Sequence, residues 1–392
     1  MKISILLRHD ADDFKGEMIA AHNRTKELIK NFPEAKIQVL VLREYFNSFY
    51  CKLRGTQKIK KNKEFCYESI TYKALWFNFS PIDNILTKLH KRPIVIFKEL
   101  DRFISRLKDS DIIIAHSTYA GYVALKAKQK YNIPFMVTWH GTDIHTTPIV
   151  NPYLRSLTID IINNADANCF VSRDLMTKSE SLSKASRREV LYNGVDCTKF
   201  RKYSDIEKIT AHQDLHIESG VKNVAFIGNL YNVKNVLALP EVYKLVIQSF
   251  GKDNILFHFI GDGPLRKELE TLCHQGGIPF RIWGNQPAEL MPQFINCMDL
   301  VVLPSLNEGL PLISVETLAC GVPMVGSDVG GIPEAIGRGN VVPLNDEFAQ
   351  NLASLILNKL GNVGESVFVP NQFSWIRTGR IEKDLINNIL MR

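Results

Sequence analysis

The sequence lacks any apolar run long enough to cross a membrane. No stretch approaches the roughly 18 consecutive apolar residues that a transmembrane helix requires. The first residues, KISILL, are followed at once by Arg8 and Asp10. This start is too short and too soon charged for a secretory signal peptide, so we interpret it as a first β-strand. Both absences favour a cytoplasmic protein without a membrane span.

The sequence also lacks a cysteine framework. Its seven cysteines are odd in number, scattered along the chain and free of CxxC pairs. A disulfide scaffold needs paired cysteines and a structural zinc site needs closely spaced ligands, so we expect neither of them. A reducing compartment fits this pattern, and the sequence predicts no metal site.

Basic residues are scarce in the second half of the chain. Residues 1–200 contain 32 Lys and Arg against 21 Asp and Glu, a net charge of +11. Residues 201–392 contain 16 and 20, a net charge of −4. This asymmetry predicts an anionic partner for the first half that the second half does not share.

Residues 45–106 combine basic and aromatic side chains. Six basic residues fall between 52 and 63 without any acidic residue among them. Basic residues interleaved with exposed aromatics favour peripheral contact with an anionic membrane surface. A solvated loop over an ordinary core is an equally good interpretation. Nucleic acid is not expected, since no recognition module is present. The aromatic residues are Tyr45, Phe46, Phe49, Tyr50, Phe65, Tyr67, Tyr72, Trp76, Phe77 and Phe79.

Short apolar runs alternate with helical patterns along the whole chain, which predicts an α/β fold with two doubly wound, Rossmann-like domains. We place the domains at 1–200 and 201–373, with an irregular linker at 201–220 and a ligand cleft between them. A closing helix at 374–392 is expected to pack back toward the N-terminal domain. The predicted strands are 3–7, 37–42, 111–115, 134–139, 168–171, 190–191, 224–227, 255–260, 280–283, 300–303, 324–325 and 341–342.

The most informative stretch is VVLPSLNEGLPLISVETLACGVPMVGSD at 301–328. It predicts a strand, a polar loop, a helix from about Pro311 and a second strand. Glu308, Gly309 and Leu310 then lie between a strand end and a helix N-terminus, where open parallel sheets bind phosphorylated ligands. Glu316 falls on the second turn of that helix.

Glu308 and Glu316 are unusual beside a phosphate site unless the ligand also carries hydroxyl groups. A carboxylate accepts two hydrogen bonds from a vicinal diol, so the pair suits a ligand with a sugar, a diphosphate and a ribose. The alternative is that Glu308 merely complements the helix dipole and that Glu316 is a solvated helix residue. Spacing alone does not separate the two interpretations.

Other candidates follow predicted strands. Glycines at strand ends let the backbone turn tightly or approach a ligand, although GDG at 261–263 is better explained as a structural turn. Lys234, near the start of a predicted helix, is placed to meet a diphosphate, and a surface lysine is the alternative. His140 follows the strand at 134–139. The strand-end glycines are Gly228, Gly261, Gly263 and Gly284.

The chain resembles the retaining nucleotide-sugar glycosyltransferases of glycosyltransferase family 4, which have the GT-B fold. The matching motifs stand in family order over nearly the whole chain, and those of the second half are the more specific. They are HGTD at 140–143, FVS at 170–172, YNGVDCTKF at 192–200, FIGNL…K at 226–234, FIGDGPLRKELE at 259–270, WGNQPAEL at 283–290, LPSLNEGLPLISVETLACGVPMV at 303–325 and GGIPE at 330–334.

The resemblance implies a role for each matching position. Glu308 would face the donor sugar and the reacting centre, Glu316 would hold the ribose diol, and Lys234 would neutralise the diphosphate in place of a metal ion. His140 would approach the donor sugar from the first domain. The remaining implied donor contacts are Gly16 by the diphosphate, Gly228, Asn229, Gly309, Leu310 and Pro311 around the sugar and diphosphate, and Gly284 by the base.

Two positions depart from the family pattern. Asn229 stands where an arginine is usual, which removes a charge from the diphosphate site, and Lys15 replaces one of two usual glycines. Arg8, Arg266 or Lys15 could supply the missing charge.

The implied reaction transfers a hexosyl unit from a nucleoside diphosphate sugar to a glycan or lipid-linked glycan, with retention and without a cofactor. Its expected setting is bacterial-type surface polysaccharide synthesis in the cytoplasm, at the inner membrane face. The alternatives are a sugar-nucleotide isomerase or hydrolase of the same fold, and a non-catalytic nucleotide-sugar-binding subunit.

Overall fold

The computed structural model describes residues 1–9, 16–46, 51, 60–184, 187–361 and 367–391. They form two compact units, the first from Met1–Tyr192 and Trp375–Arg392 and the second from Asn193–Ser374. The predicted boundary after residue 200 differs from this division. Residues 193–200 join the second unit because Asn193 donates a hydrogen bond to the Leu310 carbonyl and Val195 forms a β-bridge with Ser374.

The first unit contains one β-sheet, and α-helices alternate with its strands along the chain. Its strands are β1 (Lys2–Arg8), β2 (Lys36–Tyr45), β3 (Glu64–Tyr67), β4 (Ile70–Asn78), β5 (Ile112–His116), β6 (Phe135–Trp139), β7 (Ala167–Phe170) and β8 (Arg188–Val190). The helices described before residue 192 are α1 (Glu17–Asn31), α2 (Pro81–Lys88), α3 (Val95–Asp101), α4 (Ser117–Tyr131), α5 (Thr142–His145), α6 (Thr147–Val150), α7 (Pro152–Asn164) and α8 (Arg173–Ser179).

This sheet has the strand order β3-β4-β2-β1-β5-β6-β7-β8. All neighbouring strands are parallel except β3, which runs antiparallel to β4. The central strands β5 and β6 are buried over their whole length, which explains why they read as continuous apolar runs in the sequence. Successive strands extend the sheet in one direction from β1 and in the other direction from β5. The carboxyl ends of these two strands therefore border the usual ligand position of a doubly wound sheet.

The second unit also contains one sheet. Its helices are α9 (Asp205–Asp214), α10 (Leu239–Phe250), α11 (Arg266–Gln275), α12 (Met291–Asn296), α13 (Leu312–Ala319), α14 (Ile332–Ile336) and α15 (Phe348–Gly361). Its strands are β9 (Lys222–Ile227), β10 (Ile255–Ile260), β11 (Phe280–Gly284), β12 (Leu300–Leu303), β13 (Met324–Ser327) and β14 (Val341–Val342).

All strand pairs of the second sheet are parallel, in the order β11-β10-β9-β12-β13-β14. Counted within the unit this is the 3-2-1-4-5-6 order of a Rossmann-like sheet, and the chain reverses direction across the sheet between β9 and β12. The predicted α/β fold class is therefore confirmed for both units.

The last helix, α16 (Trp375–Leu390), belongs to the first unit and packs on α1. A Cβ on Gly379 would lie 2.6 Å from the Cβ of Glu27, so glycine allows this close helix approach. Arg24 and Glu382 form a fully buried ion pair between the two helices, with 2.7 Å from Nη2 to Oε1. Such a pair fixes the register of two helices more than it stabilises them.

Three local predictions are wrong. The segment predicted as a linker contains α9, which begins with a capping box between Ser204 and Glu207. Lys234 does not begin a helix, because it ends a 3₁₀ turn at Asn232–Lys234. The exposed aromatics expected in 45–106 are buried or half-buried wherever they are described. Phe65 on β3, for example, stacks on Tyr72 on β4, with 5.1 Å between the ring centroids. Phe49, Tyr50, Lys52, Arg54 and Lys58 lie outside the described residues, as does Lys15.

None of the helices in the described part of the chain is both long and apolar enough to span a bilayer.

Candidate active site

The carboxyl ends of β9 and β12 lie side by side, because the two strands pair directly in the second sheet. The chain leaves β9 through Gly228 and Asn229, and it leaves β12 through a loop at 304–311 that leads into α13. The Leu306 N–H donates to the Val233 carbonyl at 2.8 Å, which ties the two loops together. This edge of the sheet is where Rossmann-like units bind their ligands.

Lys234 and Glu308 meet at this edge. The Lys234 ammonium lies 2.6 Å from Glu308 Oε1, and the Ser305 hydroxyl donates to the same oxygen at 2.7 Å. The side chains of Lys234 and Glu308 are 23% and 11% exposed, so both are largely withdrawn from water. The pair therefore presents a fixed cation and a fixed carboxylate beside the N-terminus of α13.

The glycines of GDGP at 261–264 allow these loops to pack closely. A Cβ on Gly261 would lie 2.0 Å from the Gly228 carbonyl oxygen, and one on Gly263 would lie 2.5 Å from that of Leu230. The Leu230 N–H donates to the Asp262 carbonyl at 3.0 Å. The structural interpretation of this motif is thus supported, because no side chain fits where the two backbones touch.

The glycines of GGIPE at 330–334 hold the Glu308 loop from the other side. A Cβ on Gly330 would lie 1.9 Å from the Glu308 carbonyl oxygen, and its φ of +56° disfavours any other residue. The Gly331 N–H donates to the Gly309 carbonyl at 2.8 Å. The backbone on which Glu308 is carried is therefore set by close contact with this turn.

Replacing Gly330 by alanine tests that contact. The Cβ must displace the Glu308 backbone, and the left-handed conformation adds strain, so we expect a loss of about 2 kcal/mol or more in the free energy of unfolding. Chemical denaturation measures the loss. Gly339→Ala is the matched control, because a Cβ there would meet nothing within 4 Å. Equal stability of the two variants would contradict the contact.

Glu316 lies half-buried on α13, four residues after the helix begins. Burial raises the pKa of its carboxyl to about 7, and the attraction of Lys199 only partly opposes this. The loop ahead of the helix is held by Asn193, whose amide donates to the Leu310 carbonyl at 3.0 Å. The protein thus keeps a carboxylate in a place that disfavours its charge, which is typical of functional sites.

The other predicted donor residues lie along the same edge of the second sheet. Asn229 is exposed directly after β9, and Gly284 ends β11 with a φ of +68°. Arg266, one candidate for the missing charge, already pairs with Asp262 at 3.1 Å and Glu270 at 2.9 Å. Gly309, Leu310 and Pro311 are buried just ahead of α13.

His140 and Gly16 belong to the first unit. Gly16 precedes α1 with a φ of +50°, while His140 follows β6. His140 Nε2 lies 2.9 Å from His116 Nδ1, and burial lowers the pKa of His140 to about 4. Asp143 accepts a hydrogen bond from the Gly141 N–H at 2.9 Å, and burial raises the pKa of the Asp143 carboxyl to about 6.

Arg8, another of the cations proposed to supply the missing charge, pairs with Glu44 at 3.0 Å.

Sequence reasoning missed two neighbours of His140. His116 ends β5, the strand beside β6, so a histidine at each strand end was an available signal. Glu17 lies 3.9 Å from His140 Nε2 and accepts a hydrogen bond from Ser117 at 2.6 Å. Among the residues described here, no three His, Cys, Asp or Glu side chains are grouped so that they could hold a metal ion.

The chain forms two Rossmann-like units. In the second, a lysine–glutamate pair lies where the strand order changes direction between β9 and β12. This is the architecture of the GT-B class of proteins. Comparison with known proteins supports this assignment. Residues 221–358 match the family described as Glycosyl transferases group 1, and residues 21–199 match Glycosyltransferase Family 4. The two matches do not overlap and cover most of the chain. Together, the two matches and the fold support a GT-B glycosyltransferase of family 4, the family that the sequence motifs resemble.

Individual relatives are distant. TuaC of Bacillus subtilis, a glycosyltransferase assigned to teichuronic acid biosynthesis, is 28% identical over 63% of this chain and 60% of its own length. The amylovoran biosynthesis glycosyltransferase AmsK of Erwinia amylovora is 27% identical over 67% of this chain and 63% of its own length. The chain thus spans less than two thirds of either relative.

Solved structures share the fold. HepE of Anabaena in complex with UDP superimposes with a TM-score of 0.73 at 18% identity, covering 99% of this chain and 100% of that chain. HepE in complex with UDP-glucose gives a TM-score of 0.65 at 18% identity, covering 99% and 97%.

Proposed function

We propose that this chain transfers a hexosyl unit from a nucleoside diphosphate sugar to a hydroxyl group of a glycan or lipid-linked glycan, with retention at the anomeric carbon. The observation that carries the proposal is the Lys234–Glu308 pair at the switch point of the second sheet. A cation for a diphosphate and a carboxylate for a sugar then stand side by side, ahead of a helix N-terminus.

The donor binds along the carboxyl edge of the second sheet. The diphosphate meets Lys234 and the first N–H groups of the 309–312 turn, where the helix dipole favours negative charge. Glu308 accepts hydrogen bonds from the sugar hydroxyls and Glu316 from the ribose diol. Gly284 leaves room for the base beside β11. Gly228 and Asn229 line the same edge.

Charge on the leaving group is the main demand of the reaction. As the glycosidic bond breaks, the sugar becomes oxocarbenium-like and negative charge develops on the departing diphosphate. Lys234 and the backbone amides stabilise that charge in a site that is largely withdrawn from water. We propose that no divalent metal or cofactor takes part, and that the acceptor hydroxyl attacks from the face that the diphosphate leaves and passes its proton to the departing phosphate oxygen.

The names of the relatives support the setting. TuaC is named for teichuronic acid biosynthesis and AmsK for amylovoran biosynthesis, and HepE was solved with UDP and with UDP-glucose. The net charge of +11 on the first 200 residues suits an acceptor that carries phosphate or is held at an anionic membrane. We therefore place the reaction in the cytoplasm, at the inner face of the membrane.

Restoring a charge at position 229 should tighten donor binding. A charge-assisted hydrogen bond exceeds a neutral one by about 1–2 kcal/mol, so we expect Asn229→Arg to bind UDP roughly five- to thirtyfold more tightly. Calorimetric titration measures the change. Asn232→Arg adds the same charge in the neighbouring turn and is the control. A similar gain in both variants would show only a general charge effect and would contradict a diphosphate contact at 229.

Transfer itself is tested with labelled UDP-, GDP- and ADP-sugars and an extract of membrane lipids and glycans. The proposal predicts acceptor-dependent release of the nucleoside diphosphate, and a product whose anomeric configuration matches the donor by NMR. Donor turnover without any acceptor would instead indicate a hydrolase or isomerase. Donor binding without turnover under any condition would indicate a binding subunit.

A further inference from the structure

Helix α2 of the first unit presents apolar side chains to the outside. Ile82, Ile85 and Leu89 follow the spacing i, i+3, i+7 and are 58%, 56% and 58% exposed. Ile94, just beyond the helix, is 60% exposed. Single exposed apolar residues are common on protein surfaces, but here four fall within thirteen residues, on α2 and in the segment that joins it to α3. We call these four residues the apolar stripe.

The orientation of α2 is fixed by its buried face. Ser80 and Asp83 form a capping box, and Asp83 is fully buried. The Asp83 carboxylate also accepts the N–H groups of Val95 and Ile96 at 2.9 Å and 3.2 Å. Turning the helix to bury the apolar stripe would break these bonds and expose α3. The stripe is therefore held outward by the fold.

The surroundings of the apolar stripe are basic. Lys88, Lys91, Arg92 and Lys98 are all exposed, and Asp83 is the only acidic residue between positions 81 and 98. Asp83 is buried and satisfied, and the next two acidic residues, Glu99 and Asp101 on α3, already have partners in Arg102 and Tyr122. The exposed charges nearest the stripe along the chain are therefore basic. An apolar face bordered by basic side chains is the pattern of helices that lie in the interface of an anionic bilayer.

A second exposed apolar pair shows a different pattern. Ile206 and Ile209 on α9 of the second unit are 78% and 58% exposed, but Asp205 and Glu207 adjoin them. Acidic neighbours oppose contact with anionic lipid, so this pair does not share the features of the apolar stripe. It supplies a matched control.

We propose that the apolar stripe docks the first unit on the surface of an anionic lipid bilayer, with Lys88, Lys91, Arg92 and Lys98 meeting the lipid phosphates. This proposal rests on the proposed function and deepens it, because a docked enzyme reaches a lipid-linked acceptor without leaving the membrane surface. The contact involves the side chains of one short helix and its following turn, so it is peripheral and reversible.

Sedimentation with lipid vesicles tests the docking. The full chain should bind vesicles of phosphatidylcholine mixed with phosphatidylglycerol, and should bind pure phosphatidylcholine much more weakly. Ile85→Ser/Leu89→Ser should weaken binding by about tenfold or more, since less apolar surface enters the bilayer. Lys88→Gln/Lys91→Gln should weaken it by roughly twentyfold at low salt, about fivefold for each charge. Ile206→Ser/Ile209→Ser should bind as the wild type does.

The opposite outcomes overturn the proposal. They are equal binding to both kinds of vesicle, no binding to either, or equal losses in the stripe and control variants. A dimer in gel filtration that Ile85→Ser/Leu89→Ser dissociates, without any vesicle binding, would show that a second copy covers the stripe. All variants should keep wild-type UDP affinity. Failed docking with intact nucleotide binding therefore refutes this surface alone, whereas absent binding of UDP, GDP and ADP alike refutes the proposed function.

Discussion

Glu308→Gln should lower the kcat of glycosyl transfer by about a hundredfold to a thousandfold, the usual cost of removing one preorganised group that stabilises a transition state. Glutamine keeps the size of the side chain but removes the charge that holds Lys234 at 2.6 Å. In the proposed reaction, the same charge faces the developing positive charge on the sugar. KM for the donor should change much less, because Lys234 remains available to the diphosphate.

The control for this variant is Glu218→Gln. Glu218 is exposed and precedes β9, at the opposite edge of the second sheet from Glu308. Its replacement should leave kcat and KM unchanged. If Glu308→Gln retained the wild-type kcat while Glu218→Gln behaved as expected, Glu308 would be a structural partner of Lys234 and Ser305 and nothing more.

Glu316→Gln should weaken nucleotide binding and stabilise the fold at the same time. The variant loses a charged acceptor for the ribose diol, which costs about 1.5–3 kcal/mol, or roughly ten- to a hundredfold in the Kd for UDP. A residue kept only for folding would not combine weaker nucleotide binding with a more stable fold when it is replaced. Both effects together are expected where a protein retains an unfavourable charge for function.

The stabilisation follows from the pKa of Glu316, which burial raises to about 7 from an ordinary value of 4.5. The folded state therefore holds a proton that the unfolded state has lost between these pH values, and stability falls as pH rises through this window. Each pKa unit corresponds to about 1.36 kcal/mol, so for this half-buried group we expect Glu316→Gln to add about 1–3 kcal/mol near pH 8. Near pH 4 the carboxyl is protonated in both states, and the gain should vanish.

Urea denaturation at both pH values measures this effect, with Glu218→Gln as the reference. A loss of stability in Glu316→Gln at the higher pH would mean that the carboxylate has a favourable partner in the fold. The wild-type affinity for UDP should also fall as pH drops below about 7, because only the ionised carboxylate accepts both hydroxyl groups.

The sequence predicted both sheets because their central strands are buried on two faces. Runs such as ILFHFI at 255–260 are apolar throughout, and parallel strands of this kind are easily recognised. The hairpin of β3 and β4 was missed because exposed charged residues interrupt its strands, as Lys73 does opposite Glu64. Helix α9 was missed although Ser204 and Glu207 provided a capping signal.

The candidate site was only partly readable from the sequence. The sequence placed Glu308 in a loop at a strand end and Lys234 at the start of a predicted helix. Their contact depends on which strands are neighbours, and β9 lies 73 residues before β12 in the chain. The burial of Glu316 is a property of packing and has no signal in helical spacing. The sequence also does not show why position 330 must be glycine, because the close approach of the Glu308 backbone is what excludes a side chain there.

The most direct measurement is calorimetric titration of the protein with UDP, GDP and ADP in EDTA, together with Lys234→Met and the control Lys244→Met, an exposed lysine on α10. We predict that one nucleotide binds without a metal ion, and that Lys234→Met weakens this binding by about tenfold or more, as loss of a charged hydrogen bond requires. Lys244→Met should bind as the wild type does. Binding of no nucleotide without metal, or wild-type affinity in Lys234→Met, would contradict a donor site built on the Lys234–Glu308 pair.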